Sequence, residues 1–446
     1  MKKIAVKRPA ILLLISALFL NVNTAFALSA DGYIKVGLSY GGGAVSSCTV
    51  SCGDGLAIAE AGSSGFEEIM SLPDCRQMSI SFESGRVIAK DESGAVAYDD
   101  FDADTCIIPF NSAGGEVLKY NGKPFRGGIC FYPQAGGRMN VINYIGLDEY
   151  LYGVLNSEMG HSNPMEALKA QAVTARSFAV SNKGKHAGEG FDLCPEAHCQ
   201  IYNGYSDEYD ETNRAIDETS GLTLTYGGEP VSGYYFKNSG GHTQSASSVW
   251  GAGAPYLTGV KDEYSPEYTW NYTITFQEAR AKLDAAGYDT GELRSVAITG
   301  RDTSGAVSAV EFTGTRGTAE LKNDKIRTVF GSGNIKSMIF SFGSGAVNEP
   351  ARYDDTLYII GAGGAVEKLD RGDVYILSGG ATSKMVDLEP APEEKAELTT
   401  EGPLVFYGTG FGHGVGMPQD SAIEMAKLGF KYDEILNYFF TGIEIQ

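Results

Sequence analysis

Residues 147–182 read LDEYLYGVLNSEMGHSNPMEALKAQAVTARSFAVSN. Leu147, Leu151 and Leu155 recur at i+4, with Tyr150 and Val154 beside them, which makes one helical face. Gly160 suits the left-handed closing position, so the first helix is predicted to end near Glu158-Met159-Gly160. A second helix starts almost at once. Asn163 is the expected N-cap, Pro164 fits the first turn, and Glu166 stands where it can reach back to a free backbone N–H. Projected at about 100° per residue, Met165, Leu168, Ala172, Ala175 and Ala179 form one stripe, with Gln171 and Arg176 flanking it on opposite sides. Between Ala170 and Asn182, Arg176 is the only charge. A helix so rich in small residues should be wrapped by protein, and its guanidinium then needs a carboxylate or a bound anion.

Outside this segment the pattern is mostly strands and turns, which makes the fold class α+β. Short runs such as Tyr33–Tyr40 and Met78–Phe82 are broken by Gly41-Gly42-Gly43 and Ser63-Ser64-Gly65, which reads as a β-rich module over 28–124. Strand-like runs continue from Arg126 to Ile145, and return at Leu222–Tyr226, Val231–Phe236, Ser295–Thr299 and Val307–Phe312. Helices are expected near Thr275–Ala285 and Ser421–Leu428, the latter after the glycine-dense turn Gly408–Gly416. Leu388–Gly402, with Pro390, Pro392 and five Glu, reads as a solvated loop. No repeat implies a solenoid.

The chain has 446 residues, with 35 Lys+Arg against 56 Asp+Glu for a formal charge of −21, which argues against a nucleic-acid partner. At the amino terminus a basic start precedes an apolar run from Ala10 to Leu20, and Ala25-Phe26-Ala27 has the small residues that signal peptidase needs. Residues 1–27 are read as a secretory signal, with an uncleaved anchor as the alternative. Their removal takes Lys2, Lys3, Lys7 and Arg8 and no acid, leaving −25. The expected location is secreted, or associated with the wall or membrane outside the cytoplasmic membrane. Export permits disulfides among Cys48, Cys52, Cys75, Cys106, Cys130, Cys194 and Cys199, whose odd count leaves at least one unpaired within the chain or some binding metal.

Three constellations could carry chemistry. Glu158 lies at the carboxyl end of the first helix, where unpaired carbonyls favour a protonated carboxyl and suit a general acid. From position alone, a surface Glu beside a helix end is the simpler reading. His186, Cys194, His198 and Cys199 have the residue types of a tetrahedral zinc site, although adjacent His198 and Cys199 need a bent backbone to ligate together; the alternative is a Cys194–Cys199 disulfide. The turns Asn238–Thr243 and Gly410–Gly416 lack the lysine and hydroxyl of a phosphate loop. They read either as tight turns or as backbone brought close to an extended ligand, with Ser239 or His413 facing it. No G-x-S-x-G elbow supports a nucleophilic triad.

At these residues the chain resembles the SpoIID/LytB family of stage II sporulation protein D and an amidase enhancer. The likeness is carried by Phe125-Arg126-Gly127-Gly128, Leu147–Val154, Ser157-Glu158-Met159, Pro164–Arg176 and Cys199-Gln200-Ile201-Tyr202-Asn203-Gly204. The turn at Ser239–Thr243, Trp250, and Gly412-His413-Gly414-Val415-Gly416-Met417 with Gln419 complete it. Coverage runs over 125–446 with an insertion at about 341–403. The resemblance implies a lytic transglycosylase that cuts glycan strands of peptidoglycan, preferably stripped of stem peptides, during engulfment in endospore formers. It assigns the catalytic role to Glu158, places Gln171, Arg176, Tyr202, Ser239 and His413 along the groove, and supports zinc, structural in role, at His186, Cys194, His198 and Cys199. It also leaves open a non-catalytic glycan-binding protein that stimulates a cell-wall amidase. The sequence departs from the family pattern at Phe178, where Tyr is common, at Gly160, where Pro often follows the Glu-Met pair, and at Pro418, Asp420 and Ser421.

Overall fold

The structure, a computed structural model, describes residues 32–111, 117–343 and 402–446, together with strand segments at 356–360, 366–370, 375–378 and 381–384. The signal-like segment 1–27 and the expected solvated loop at 388–401 lie outside the described residues.

Among the described residues twelve strands precede the first α-helix: β1 (Tyr33–Ser39), β2 (Ser47–Ser51), β3 (Leu56–Gly62), β4 (Gly65–Leu72), β5 (Gln77–Glu83), β6 (Arg86–Lys90), β7 (Val96–Tyr98), β8 (Thr105–Pro109), β9 (Leu118–Tyr120), β10 (Lys123–Phe125), β11 (Gly128–Gln134) and β12 (Arg138–Gly146). They form two six-stranded sheets, ordered β1-β12-β11-β8-β3-β4 and β10-β9-β2-β5-β6-β7. The β-rich region therefore continues past residue 124 to Gly146. Alternating burial of β2, β5 and β6 places Val50, Met78, Ile80, Val87 and Ala89 in the core between elements. Cys106 and Cys130 oppose each other on β8 and β11 and are joined as a disulfide.

The helical segment is as the periodicity predicts, with α1 (Leu147–Met159) and α2 (Met165–Ser181), and Leu147, Leu151, Val154 and Leu155 buried. The capping differs. Asn163 donates its side-chain amide to the carbonyls of Met159 and Gly160, so it closes α1 rather than opening α2. Glu166 does not reach back either; it accepts from Tyr432 N at 3.0 Å and pairs with Lys169.

Beyond α2 come α3 (Asp210–Asp217), β13 (Leu224–Tyr226), β14 (Glu229–Pro230), β15 (Tyr235–Phe236) and α4 (Ala246–Trp250). The run Val231–Phe236 thus yields only a two-residue strand. Gly233 lies so close to α2 that a Cβ there would sit 2.4 Å from the Thr174 carbonyl oxygen, which takes this backbone out of a sheet. A second core gathers Trp270, Leu283, Phe312, Phe330 and Phe406 from β16 (Thr269–Ile274), α5 (Phe276–Ala285), β17 (Leu293–Arg301), β18 (Val307–Gly314), β19 (Thr318–Lys322), α6 (Lys325–Phe330) and β20 (Phe340–Phe342), closed by the strand Leu404–Thr409. The α5 helix opens on a capping box in which Thr275 and Glu278 satisfy each other's N–H groups. Then come Met417–Pro418, which pairs in parallel with β15, the helices Gln419–Lys427 and Tyr432–Phe439, and the short strand Glu444–Ile445, which pairs with β13. The described helices and strands confirm an α+β fold.

Candidate functional site

Glu158 sits one residue before the end of α1, where Gly160 takes φ +82° and turns the chain away. The helix-end carbonyls are not bare. Gln419 Nε2 donates to the Glu158 carbonyl at 2.9 Å, Asn163 covers Met159, and Gly160 N–H covers Asn156. These donors oppose the negative end potential expected from the sequence. The carboxyl is nonetheless shifted upward, first by desolvation on burial. Two donors oppose the shift: the Ile201 N–H, 2.9 Å from Oε1, and the Tyr235 hydroxyl.

Tyr235 is held in turn. Gln200 Nε2 donates to its oxygen at 3.1 Å, and Gln200 Oε1 accepts from Tyr150 OH at 3.2 Å. Burial raises both tyrosines well above their ordinary value, so both hydroxyls keep their protons near neutrality. The acid therefore terminates a chain of side chains from α1, the 200–201 segment and β15. Tyr235 and Gln200 were not singled out as site residues in the sequence. Gln200 lies in a quoted motif, whereas Tyr235 gave no signal beyond its place in an apolar run.

His413 lies on the same strand's other flank. Its ring packs against Tyr234, Phe236 and Trp250 at centroid distances of 5.4–6.3 Å, and its Nδ1 accepts from Val415 N at 3.1 Å. Burial lowers its pKa to about 4, so the imidazole is neutral at physiological pH. Trp250 keeps 43% of its surface exposed.

The remaining groove candidates lie inside the protein. Arg176 is fully buried; its Nε and Nη2 pair with Asp148 Oδ1, and its Nη1 and Nη2 donate to the carbonyls of Leu222 and Ile216. The partner expected from the sequence is thus the carboxylate of Asp148. Tyr202 is buried against Tyr150 and Phe125 and donates to Asn143 Oδ1 at 2.7 Å. Ser239 donates to Asp262 Oδ2, which also takes the Ser421 hydroxyl. Gln171 is fully buried, and neither atom of its amide has a hydrogen-bond partner among the described residues.

The four candidate metal ligands do converge. One ligand atom from each of His186, Cys194, His198 and Cys199 lies within 4.8 Å of every other. Cys194 Sγ is 3.4 Å and Cys199 Sγ 3.6 Å from His198 Nδ1, and Cys199 Sγ is 3.6 Å from His186 Nε2. Tetrahedral bonds of about 2.1–2.3 Å put ligands roughly 3.6 Å apart, so the donor set fits a metal ion. The required bend is a turn over 195–199, in which Cys199 N bonds back to Glu196 O. Cys194 and Cys199 are not bridged, against the disulfide alternative. Glu189 Oε2 lies 3.0 Å from His186 Nδ1, an arrangement that fixes the ring with Nε2 toward the cluster.

Residues 135–226 match the family model described as SpoIID: Stage II sporulation protein. The chain is 28% identical over 322 residues to the stage II sporulation protein D of Bacillus subtilis, covering 68% of this chain and 75% of the relative. It is 27% identical over 341 residues to an uncharacterized protein of Brachyspira hyodysenteriae, 76% of each chain. It is 26% identical over 296 residues to the amidase enhancer of Bacillus subtilis, covering 66% of this chain but 39% of the relative.

Proposed function

We propose that the chain is a SpoIID/LytB-type protein and, more closely, a secreted lytic transglycosylase that cleaves peptidoglycan glycan strands between N-acetylmuramic acid and N-acetylglucosamine, in sporulation. The observation that carries the proposal is Glu158, a carboxyl whose pKa burial raises while the Ile201 N–H and the Tyr235 hydroxyl stabilise its anion. Protonated Glu158 gives its proton to the glycosidic oxygen as the C1–O bond breaks, and an oxocarbenium-like centre forms on the muramic sugar. The carboxylate then takes the proton of that sugar's own C6 hydroxyl as O6 bonds to C1, which closes a 1,6-anhydro ring and restores the acid. No water enters, so a single carboxyl suffices.

Zinc is the proposed occupant of the His186, Cys194, His198 and Cys199 cluster. Its role would be structural, because all four positions of a tetrahedral ion are supplied by protein. The metal would tie down the loop that ends in Gln200 and Ile201, the two residues that hold Tyr235 and the Glu158 carboxylate.

Incubation with amidase-denuded peptidoglycan should release products ending in 1,6-anhydro-muramic acid, and Glu158→Gln should abolish them. Persistent cleavage by that variant sinks the assignment. The likeness to an amidase enhancer favours a second reading, a glycan-binding protein that stimulates a separate amidase. Amidase stimulation with no anhydro product from the unaltered protein would decide for it.

A further inference from the structure

The β-rich region has no part in the chemistry above, yet it forms one wall of a cavity of about 410 Å³. On that wall are Tyr120, Asn121, Lys123 and Phe125, from β9, β10 and the turn between them; opposite stand Pro195, Asn203 and the largely buried groove candidate Tyr202. The volume lies in the usual range of small-molecule sites, about 300–1,000 Å³. The lining is also of the right kind: aromatic carbon, amides and one ammonium.

Three features tie the cavity to the Glu158 centre. Asn203 lies two residues after Ile201, whose N–H holds the carboxyl. Asn203 Nδ2 donates to Ser157 Oγ, on the residue before Glu158. Pro195 directly follows the candidate ligand Cys194. The amide oxygen of Asn121 is taken by Thr49 N at 2.9 Å, which leaves its NH2 as the group available to a ligand. Lys123 is exposed and stands 5.5 Å from the centre of the Phe125 ring. The acid next to the cavity wall, Glu196, accepts a hydrogen bond from Tyr40 OH. In a chain of charge −21, Lys123 gives this cavity an ammonium beside an aromatic ring and two amides.

We infer that this cavity is a saccharide subsite for an acidic N-acetylated amino sugar, in which Lys123 binds the sugar's carboxylate and Asn121 and Asn203 its acetamido and hydroxyl groups. The inference rests on the glycan reading of the Glu158 site and adds a substrate grip supplied by the β-rich region. It also gives a positive group to a protein whose net charge repels an acidic polymer.

The test is ligand-detected NMR titration of the full-length protein with N-acetylmuramic acid and with N-acetylglucosamine, which differ by the lactyl carboxylate. Neither monosaccharide contains a bond to cleave, so the outcome is independent of catalysis. The muramic sugar should bind about fivefold more tightly, the effect of one exposed charge pair. Lys123→Ala and Lys123→Glu should remove the preference, and Lys123→Arg should retain it. Equal affinity for the two sugars overturns the inference, as does a preference that survives Lys123→Glu, or lactate alone competing as well as the whole sugar. A preference that depends on Lys123 in a protein yielding no anhydro product upholds the subsite while the transglycosylase reading fails.

Discussion

If Arg176 is an internal tie, its replacement should cost stability rather than substrate affinity. Arg176→Met keeps the aliphatic stem and removes the guanidinium. The Leu222 carbonyl loses its side-chain donor, whereas Ile216 O keeps the Thr219 N–H at 3.1 Å. Asp148 loses its cation but has a side chain 24% exposed and keeps Ser220. One orphaned carbonyl and one partly rehydrated carboxylate together suggest a loss of roughly 2–4 kcal/mol. The reverse change, Asp148→Ala, strands a fully buried guanidinium and should approach the 3–5 kcal/mol that is typical of breaking a buried pair. Urea unfolding at pH 7, followed by circular dichroism, should show that asymmetry, with midpoints lowered and slopes unchanged. The double variant should cost less than the sum of the singles by about 1–3 kcal/mol. Glycan binding by folded Arg176→Met should match that of the parent. A variant with parental stability that has lost more than tenfold in glycan affinity would refute this account and return Arg176 to the groove.

Tyr235→Phe removes a hydroxyl that lowers the Glu158 pKa, so the alkaline limb of the cleavage profile should move to higher pH; a limb that stays or moves down counts against the contact. Glu158→Gln should raise thermal stability at pH 7 and not below pH 4. A carboxyl raised by burial contributes stability below its unfolded value of 4.5 and loses it as pH rises through the folded value, a loss the amide escapes. Equal shifts at both pH values would contradict this. Elemental analysis should find about one zinc per chain, lost or weakened in Cys199→Ser, and Glu189→Gln should weaken metal affinity about tenfold. No metal, with a Cys194–Cys199 bridge seen by mass spectrometry, excludes the site.

The helices α1 and α2 were legible because their apolar faces repeat over 13 and 17 residues. The capping between them was not, because Asn163 can serve either the helix behind it or the one ahead, and only the path of the turn chooses. The helices Asp210–Asp217 and Lys325–Phe330 escaped notice for a related reason: at eight and six residues they are too short to show a period, and packing stabilises them. The metal cluster was legible as a composition of ligand types within fourteen residues. The Cys106–Cys130 pair was not, since it depends on the register of β8 against β11. The groove candidates show the limit of motif reading. Arg176 and Ser239 hold elements together from inside through Asp148 and Asp262, and Tyr202 bonds Asn143 while one side of it lines the cavity beside Asn203.

In the proposed reaction Glu158 first gives and then takes a proton, a pair of tasks badly served by either extreme. Burial alone favours the protonated carboxyl, and donors alone favour its anion. Here desolvation is the larger effect and two donors from different elements pull against it. Those donors are not incidental to the fold. Ile201 follows directly from the turn that brings His198 and Cys199 together, and Tyr235 is fixed by Gln200 in that same segment. Loosening the cluster should therefore lengthen both contacts at once, leaving burial unopposed. If the cluster holds the proposed zinc, its removal should carry the acid's titration upward, a change that Glu189→Gln should reproduce in part and Arg176→Met should not.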